Sequence, residues 1–204
     1  MRRVALLSDE DIAQSLRVLE HARRAAPLVH STIHGERHWQ TVARIGLHLA
    51  GLTHGAALRV TGLFAILDDA CRENENYDPE HGRRAARLVD ELAAAGELEL
   101  PGDELMRLRD AVARHNDGET SLDPVIGVCW DADRLCLPRV GIEPRDELLS
   151  TPVARAIRGW ARSVIDEPLS EWRPVLALQA TPAHEGRNSR TSRAPRHQRP
   201  SRSG

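Results

Sequence analysis

Apolar residues recur at helical spacing along most of this chain. Ser8 followed by Asp9, Glu10 and Asp11 reads as an N-cap with a negatively charged first turn, and Ile12, Leu16 and Leu19 continue at helical intervals. This helix is expected to end before Pro27. A second is predicted from Glu36 to Leu52, with Trp39, Val42, Ile45, Leu49 and Leu52 on its buried stripe. Leu58 to Cys71 is almost continuously apolar, and its length favours a buried helix over a strand.

Asp78-Pro79-Glu80 signals another helix start, with Ala85, Leu88, Val89 and Leu92 following and a stop near Gly96. Pro101-Gly102-Asp103 opens a helix that runs to His115 and ends at Asn116-Asp117-Gly118. Asp123-Pro124 starts a second near-apolar helix through Val128, Trp130 and Leu135. An irregular stretch follows Pro138, and a last helix spans roughly Pro152 to Ile165. Seven helices with short links predict an all-α fold, a single helical bundle of non-parallel type over residues 1–178.

From residue 179 the periodicity is gone. Arg187, Arg190, Arg193, Arg196, Arg199 and Arg202 recur every third residue among Ser, Pro, Thr and His. Such a segment cannot bury enough apolar surface to offset the entropy of ordering it, so residues 179–204 are expected to be a disordered tail. Residues 181–204 hold six Arg against one acid, whereas residues 1–180 hold 22 Arg against 29 acids. An acidic body argues against a nucleic-acid-binding surface and leaves only the tail for such a partner.

Composition narrows the chemistry. Aromatic residues make up only 3% of the chain, so the core must be Leu, Ala, Val and Ile. The 28 basic residues are all Arg. The absence of Lys excludes Schiff-base catalysis and a Walker-type phosphate loop. Cys71, Cys129 and Cys136 are odd in number and lack zinc-knuckle spacing, which points to a reduced, cytoplasmic protein. Met1 to Leu7 is too short an apolar run for a signal peptide, and no stretch approaches the length of a membrane span.

The candidate chemistry begins at Asp68 and Asp69, two adjacent carboxylates closing a helix that should be buried. Burial there demands a counter-charge, a shifted pKa or a bound cation; Arg72 is the nearest positive charge, and a helix end reaching solvent is the simpler alternative. Asp131 and Asp133 lie in the second near-apolar helix. Two residues apart on a helix is about 200° of rotation, so at most one of them faces a shared site, and the other is free to pair with Arg134. His34 and His38 are four apart, His81 opens one predicted helix and His115 closes another. His21, His30, His48 and His54 have no comparable setting and are expected on the surface or in linkers. Imidazoles and carboxylates gathered from four or more helices form a ligand set for a divalent ion. A zincin-type protease is disfavoured, because Gly35 stands where that chemistry needs glutamate.

The order His38, Asp68-Asp69, His81, His115, Asp133 resembles the HD-domain superfamily of metal-dependent phosphohydrolases. The segments His34 to Trp39, Phe64 to Glu75, His81 to Ala86 and Cys129 to Leu135 look like bacterial HD-domain proteins without an assigned substrate. The similarity covers roughly residues 30–160. It implies His38, Asp69 and Asp133 as metal ligands, and His81 and His115 as ligands of a second metal or of substrate phosphate. Asp68 departs from the pattern, which has histidine there; as aspartate it remains a candidate metal ligand.

The resemblance implies hydrolysis of a phosphate ester, a nucleotide foremost, by water activated on Mn, Fe, Co, Ni, Mg or Zn. In that scheme Asp69, Arg72, His81 and His115 are catalytic. Arg72, together with His34 and Arg134, also binds substrate, and Glu73 or Glu75 accepts a proton. The alternative is a catalytically impaired module, weakened by Asp68, that binds a nucleotide or phosphate without cleaving it.

Overall fold

The computed structural model describes residues 6–167 and 171–177. Among these residues the chain forms α-helices and short 3-10 turns with no strand. The helices are α1 (Asp9–Ala25), α2 (Glu36–Leu52), α3 (Leu58–Leu67), α4 (His81–Ala94), α5 (Gly102–Arg114), α6 (Pro124–Arg134), α7 (Pro152–Ile165) and α8 (Trp172–Leu176). The all-α expectation holds. The expected tail, 179–204, lies outside the described residues.

α2 is the centre of the bundle and packs against α3, α6, α7 and α8. Contact on so many sides buries His38 to Ala43 and Ile45 to Ala50, so its apolar stripe broadens into a nearly buried cylinder. Leu52, expected on the buried stripe, is exposed because it is the helix's last residue. α3 runs beside α1, α2, α5 and α6 with Val60 to Leu67 all buried, which explains its unbroken apolar sequence. α4 pairs with α5 at one edge.

Local chemistry sets the ends. Ser8 and Asp11 form a reciprocal capping box on α1. Asp123 accepts from the N–H groups of Val125 and Ile126 at the start of α6, where Pro124 needs no donor. α3 stops at Leu67 rather than continuing to Cys71. Tighter bonds from Ala70 N–H to the Leu67 carbonyl and from Arg72 N–H to the Asp69 carbonyl turn the chain there. That turn carries Asp68 and Asp69 off the helix axis.

α8 was not legible from the sequence. It is five residues long and contains Pro174, which is tolerated because the first turn of a helix has no internal use for its N–H. Trp172 is buried, and its indole N–H donates to Glu36 Oε1 at 2.7 Å. Arg23 Nε donates to the same carboxylate at 3.1 Å, so Glu36 ties α1 and α8 to the start of α2.

Behind the candidate site, α2 crosses α3 and α6 at Gly46. A Cβ at that position would lie 2.7 Å from Thr61 Cγ2 and 3.2 Å from Ala132 Cβ. These three helices supply His38, Asp68 and Asp133.

Candidate metal centre

His38 sits in the first turn of α2, Asp68 and Asp69 follow α3, His81 opens α4, His115 caps α5 and Asp133 lies near the end of α6. The fold brings all six together. Ligand atoms of His38, Asp68 and Asp133 lie within 4.8 Å of one another, and so do those of Asp69, His81 and His115.

Asp69 joins the two groups. Its Oδ2 is 3.0 Å from His34 Nδ1 and 3.5 Å from His38 Nε2. Its Oδ1 is 3.2 Å from His81 Nε2, 3.6 Å from Arg72 Nη1 and 3.9 Å from His115 Nε2. His38 Nε2 is also 3.4 Å from Asp133 Oδ1.

Two orphaned atoms mark the first group. Asp68 is fully buried; its Oδ1 accepts from Asp69 N–H at 2.8 Å, and its Oδ2 has no partner. His38 Nδ1 is likewise buried and without a partner. A buried carboxylate oxygen without a donor is costly and calls for a proton or a cation.

The second group is defined by its tautomers. His81 Nδ1 bonds to the Asp78 carbonyl, and His115 Nδ1 bonds to the Val112 carbonyl at 2.8 Å. A carbonyl only accepts, so each Nδ1 carries a proton. Each neutral ring therefore presents a lone pair at Nε2, and these two atoms stand 2.8 Å apart beside Asp69 Oδ1. Three Lewis bases facing one another need a proton or a metal ion between them. The carbonyl on the far nitrogen of each ring is the outer support that metal-binding histidines use.

Without a cation, protons satisfy the cluster. Burial and the adjacent charges of Asp69 and Asp133 hold the Asp68 carboxyl well above the usual range. Burial opposes charging of His115, but the carboxylates of Asp69, Asp133 and Asp68 outweigh it and push the imidazole up to about 9. Burial and then the Arg139 guanidinium lower His38. Burial opposes ionisation of Asp69 and Asp133, yet the surrounding histidines hold both low. The donor set, nitrogen and carboxylate oxygen without thiolate, could hold a divalent metal ion.

Other candidates are redistributed. Arg134, expected to bind substrate, lies over the Trp130 ring at 5.6 Å and donates to the Leu148 carbonyl. Asp131 does not pair with it. Asp131 is fully buried and accepts from Ser150 N–H at 2.6 Å, and from Thr151 N–H and Thr151 Oγ1 at 2.8 Å each, fixing the start of α7. Glu75 Oε2 is 4.0 Å from His34 Nε2, whereas Glu73 faces Arg84. His48 is not at the surface: it is buried and stacked on Trp160 with ring centroids 4.0 Å apart.

Arg139 was missed. It sits on the 3-10 turn Leu137–Val140, in the stretch read as irregular, and no periodicity pointed to it. Its Nη2 is 3.3 Å from His38 Nε2.

Two cavities reach the cluster. One of about 430 Å³ opens onto His81 between Arg72, Tyr77, Arg83 and Asn116. Another of about 270 Å³ opens onto His38 between Thr32, Arg37, Thr41 and Arg139. A third, of about 440 Å³ beside Gly55 and Arg59, includes none of the cluster residues.

Among the described residues no helix is long and apolar enough to cross a membrane. Comparison with protein-family models, with curated proteins and with solved structures finds no match for this chain.

Proposed function

We propose that this chain is a metal-dependent phosphohydrolase of the HD type, acting on a phosphate ester and foremost on a nucleotide. The observation that carries the reading is the convergence of His81 Nε2, His115 Nε2 and Asp69 Oδ1, three lone-pair donors in one buried place. His38, Asp68 and Asp133 would hold one cation and Asp69, His81 and His115 a second, with Asp69 offering one oxygen to each group. Divalent ions bound there supply positive charge that acidifies water and polarises a phosphoryl oxygen.

The protein's own groups do the rest. His34 faces Asp69 through Nδ1 and Glu75 through Nε2, a line from the buried cluster toward solvent along which a proton can leave. Arg72 presents positive charge and donors to the larger cavity beside His81, where phosphoryl oxygens would be held. Tyr77, 87% exposed at that cavity's mouth, offers an aromatic face to a base.

One observation favours the rival reading, a module that binds without cleaving. Asp68 adds a third carboxylate to the cluster at the position where the HD pattern has histidine. The experiment that separates the two readings loads the purified protein anaerobically with each divalent metal and assays phosphate release from a panel of nucleotides and simple phosphate esters. Release that depends on Asp69 supports the hydrolase. Retained metal without turnover favours the binding module, and failure to retain any metal removes both.

A further inference from the structure

The proposed hydrolase reading leaves one charge unexplained. Arg139 is anchored by its Nε, which donates to the Ile33 carbonyl at 3.0 Å. Its Nη2 lies 3.3 Å from His38 Nε2, the nitrogen that faces Asp133 and Asp69. Its Nη1 is buried and has no partner. A guanidinium carries five donors and no lone pair, so it cannot ligate a cation. Standing beside a cation site, it repels the occupant unless an anion lies between them.

The surroundings suit such an anion. The cavity on this side, about 270 Å³, is lined by Thr32, Arg37, His38, Thr41 and Arg139. Arg37 is exposed at its rim, its Nη2 3.5 Å from the Asp166 carbonyl. Thr41 Oγ1 donates to the Arg37 carbonyl at 2.9 Å, so its hydroxyl proton is already engaged and the arginines are the cavity's charged donors. Two arginines and a single acid, Asp166, line this cavity beside His38. The planar fork of an arginine matches two oxygens of a tetrahedral oxyanion, and the remaining oxygens are free for a cation.

We infer that Arg139 is a phosphoryl-binding residue, and that the cavity between Arg37, His38 and Arg139 receives a phosphate dianion shared with a cation held by His38, Asp68 and Asp133. This inference rests on the metal-centre reading. It assigns the His38 side of the cluster a phosphoryl site separate from the cavity at Arg72 and His81.

The test uses inorganic phosphate as the probe. Mn²⁺ affinity is measured by electron paramagnetic resonance with and without phosphate, and phosphate binding by the Mn²⁺-induced broadening of its ³¹P signal. In the wild-type chain, phosphate and Mn²⁺ are expected to tighten one another's binding reciprocally. Arg139→Gln is expected to weaken phosphate binding by about tenfold or more, the worth of a charge-assisted pair. It should also bind Mn²⁺ at least as tightly as wild type when phosphate is absent. Arg139→Lys keeps the charge and is expected to retain most of the phosphate affinity. If Arg139→Gln binds phosphate as wild type does while retaining Mn²⁺, the inference is overturned and the metal centre stands. Equal loss of Mn²⁺ in Gln and Lys variants, with lowered melting temperature, would assign Arg139 a structural role and also overturn it. A wild-type chain that binds no Mn²⁺ would remove this inference along with the metal-centre reading.

Discussion

The Nε2 atoms of His81 and His115 stand 2.8 Å apart, while the Nδ1 of each ring is engaged by a backbone carbonyl. Neither ring can turn its lone pair elsewhere without abandoning that bond. The pair is therefore preorganised for something positive, and in the metal-free protein that is a proton on His115.

This gives a pH dependence with a definite sign. His115 is pushed up to about 9 by the carboxylates around it. A metal takes the lone pair only from the unprotonated ring. Metal affinity should fall as pH drops below about 9, by roughly tenfold per unit for each proton displaced. Binding near neutrality should release the His115 proton, and the upward shift of the Asp68 carboxyl acts in the same direction. Calorimetric titration in two buffers of different ionisation enthalpy measures that release. Binding that is independent of pH between 6 and about 9 would contradict the arrangement.

Gly82 predicts how the pair is held. A Cβ there would lie 2.7 Å from the Val112 carbonyl oxygen and 2.9 Å from that of Ala113, both rigid backbone atoms of α5. Val112 is also the residue whose carbonyl orients His115. Gly82→Ala should push α4 from α5, cost about 1–3 kcal/mol of stability and separate the two imidazoles. Denaturant unfolding and metal stoichiometry check both effects. Unchanged stoichiometry would mean that the close approach does not set the site.

Helices whose buried faces are apolar were legible, because period and capping chemistry agree: α1, α2, α5, α6 and α7 begin and end within a few residues of expectation. The convergence of His38, Asp69, His81, His115 and Asp133 could be anticipated only from their combination, since each is unremarkable alone. Two features lay beyond sequence reasoning. α8 is too short to show a period. Arg139 depends on where a 3-10 turn points. Helical rotation separates Asp131 from Asp133 as expected, but Asp131 accepts from Ser150 and Thr151 where Arg134 was the expected partner.

Asp68 is the residue where buried charge and ligand chemistry compete. Asp68→Asn keeps the shape and the Oδ1 that accepts from Asp69 N–H, but removes the ionisable group. The metal-free protein is expected to hold or gain stability, by up to about 1 kcal/mol, since an amide is buried there without the cost of protonating a carboxyl. The rise in melting temperature on adding metal should shrink, because one ligand oxygen has lost its charge. Differential scanning fluorimetry with and without Mn²⁺ reads both. A variant that is less stable without metal and gains as much from it as wild type would show that Asp68 is a packing residue.

Asp131 and Asp133, two residues apart, should respond oppositely to the same substitution. Every partner of the Asp131 carboxylate is a donor: Ser150 N–H on Oδ1, and Thr151 N–H and hydroxyl on Oδ2. An amide there must turn its NH₂ toward at least one of those donors. Asp131→Asn should therefore cost about 1–3 kcal/mol, which at this chain length lowers the melting temperature by about 2–4 °C for each kcal/mol. The loss would loosen the Thr151 cap, whose hydroxyl accepts from Ala154 N–H at 3.1 Å. Asp133 faces His38 and the cluster instead. Asp133→Asn should disturb unfolding less than Asp131→Asn, since it leaves the Thr151 cap intact, and abolish binding of one metal equivalent. Urea unfolding of both variants, paired with equilibrium dialysis against Mn²⁺, separates the roles. The reverse pattern, metal lost at 131 and stability lost at 133, would mean that α6 presents its other face to the site.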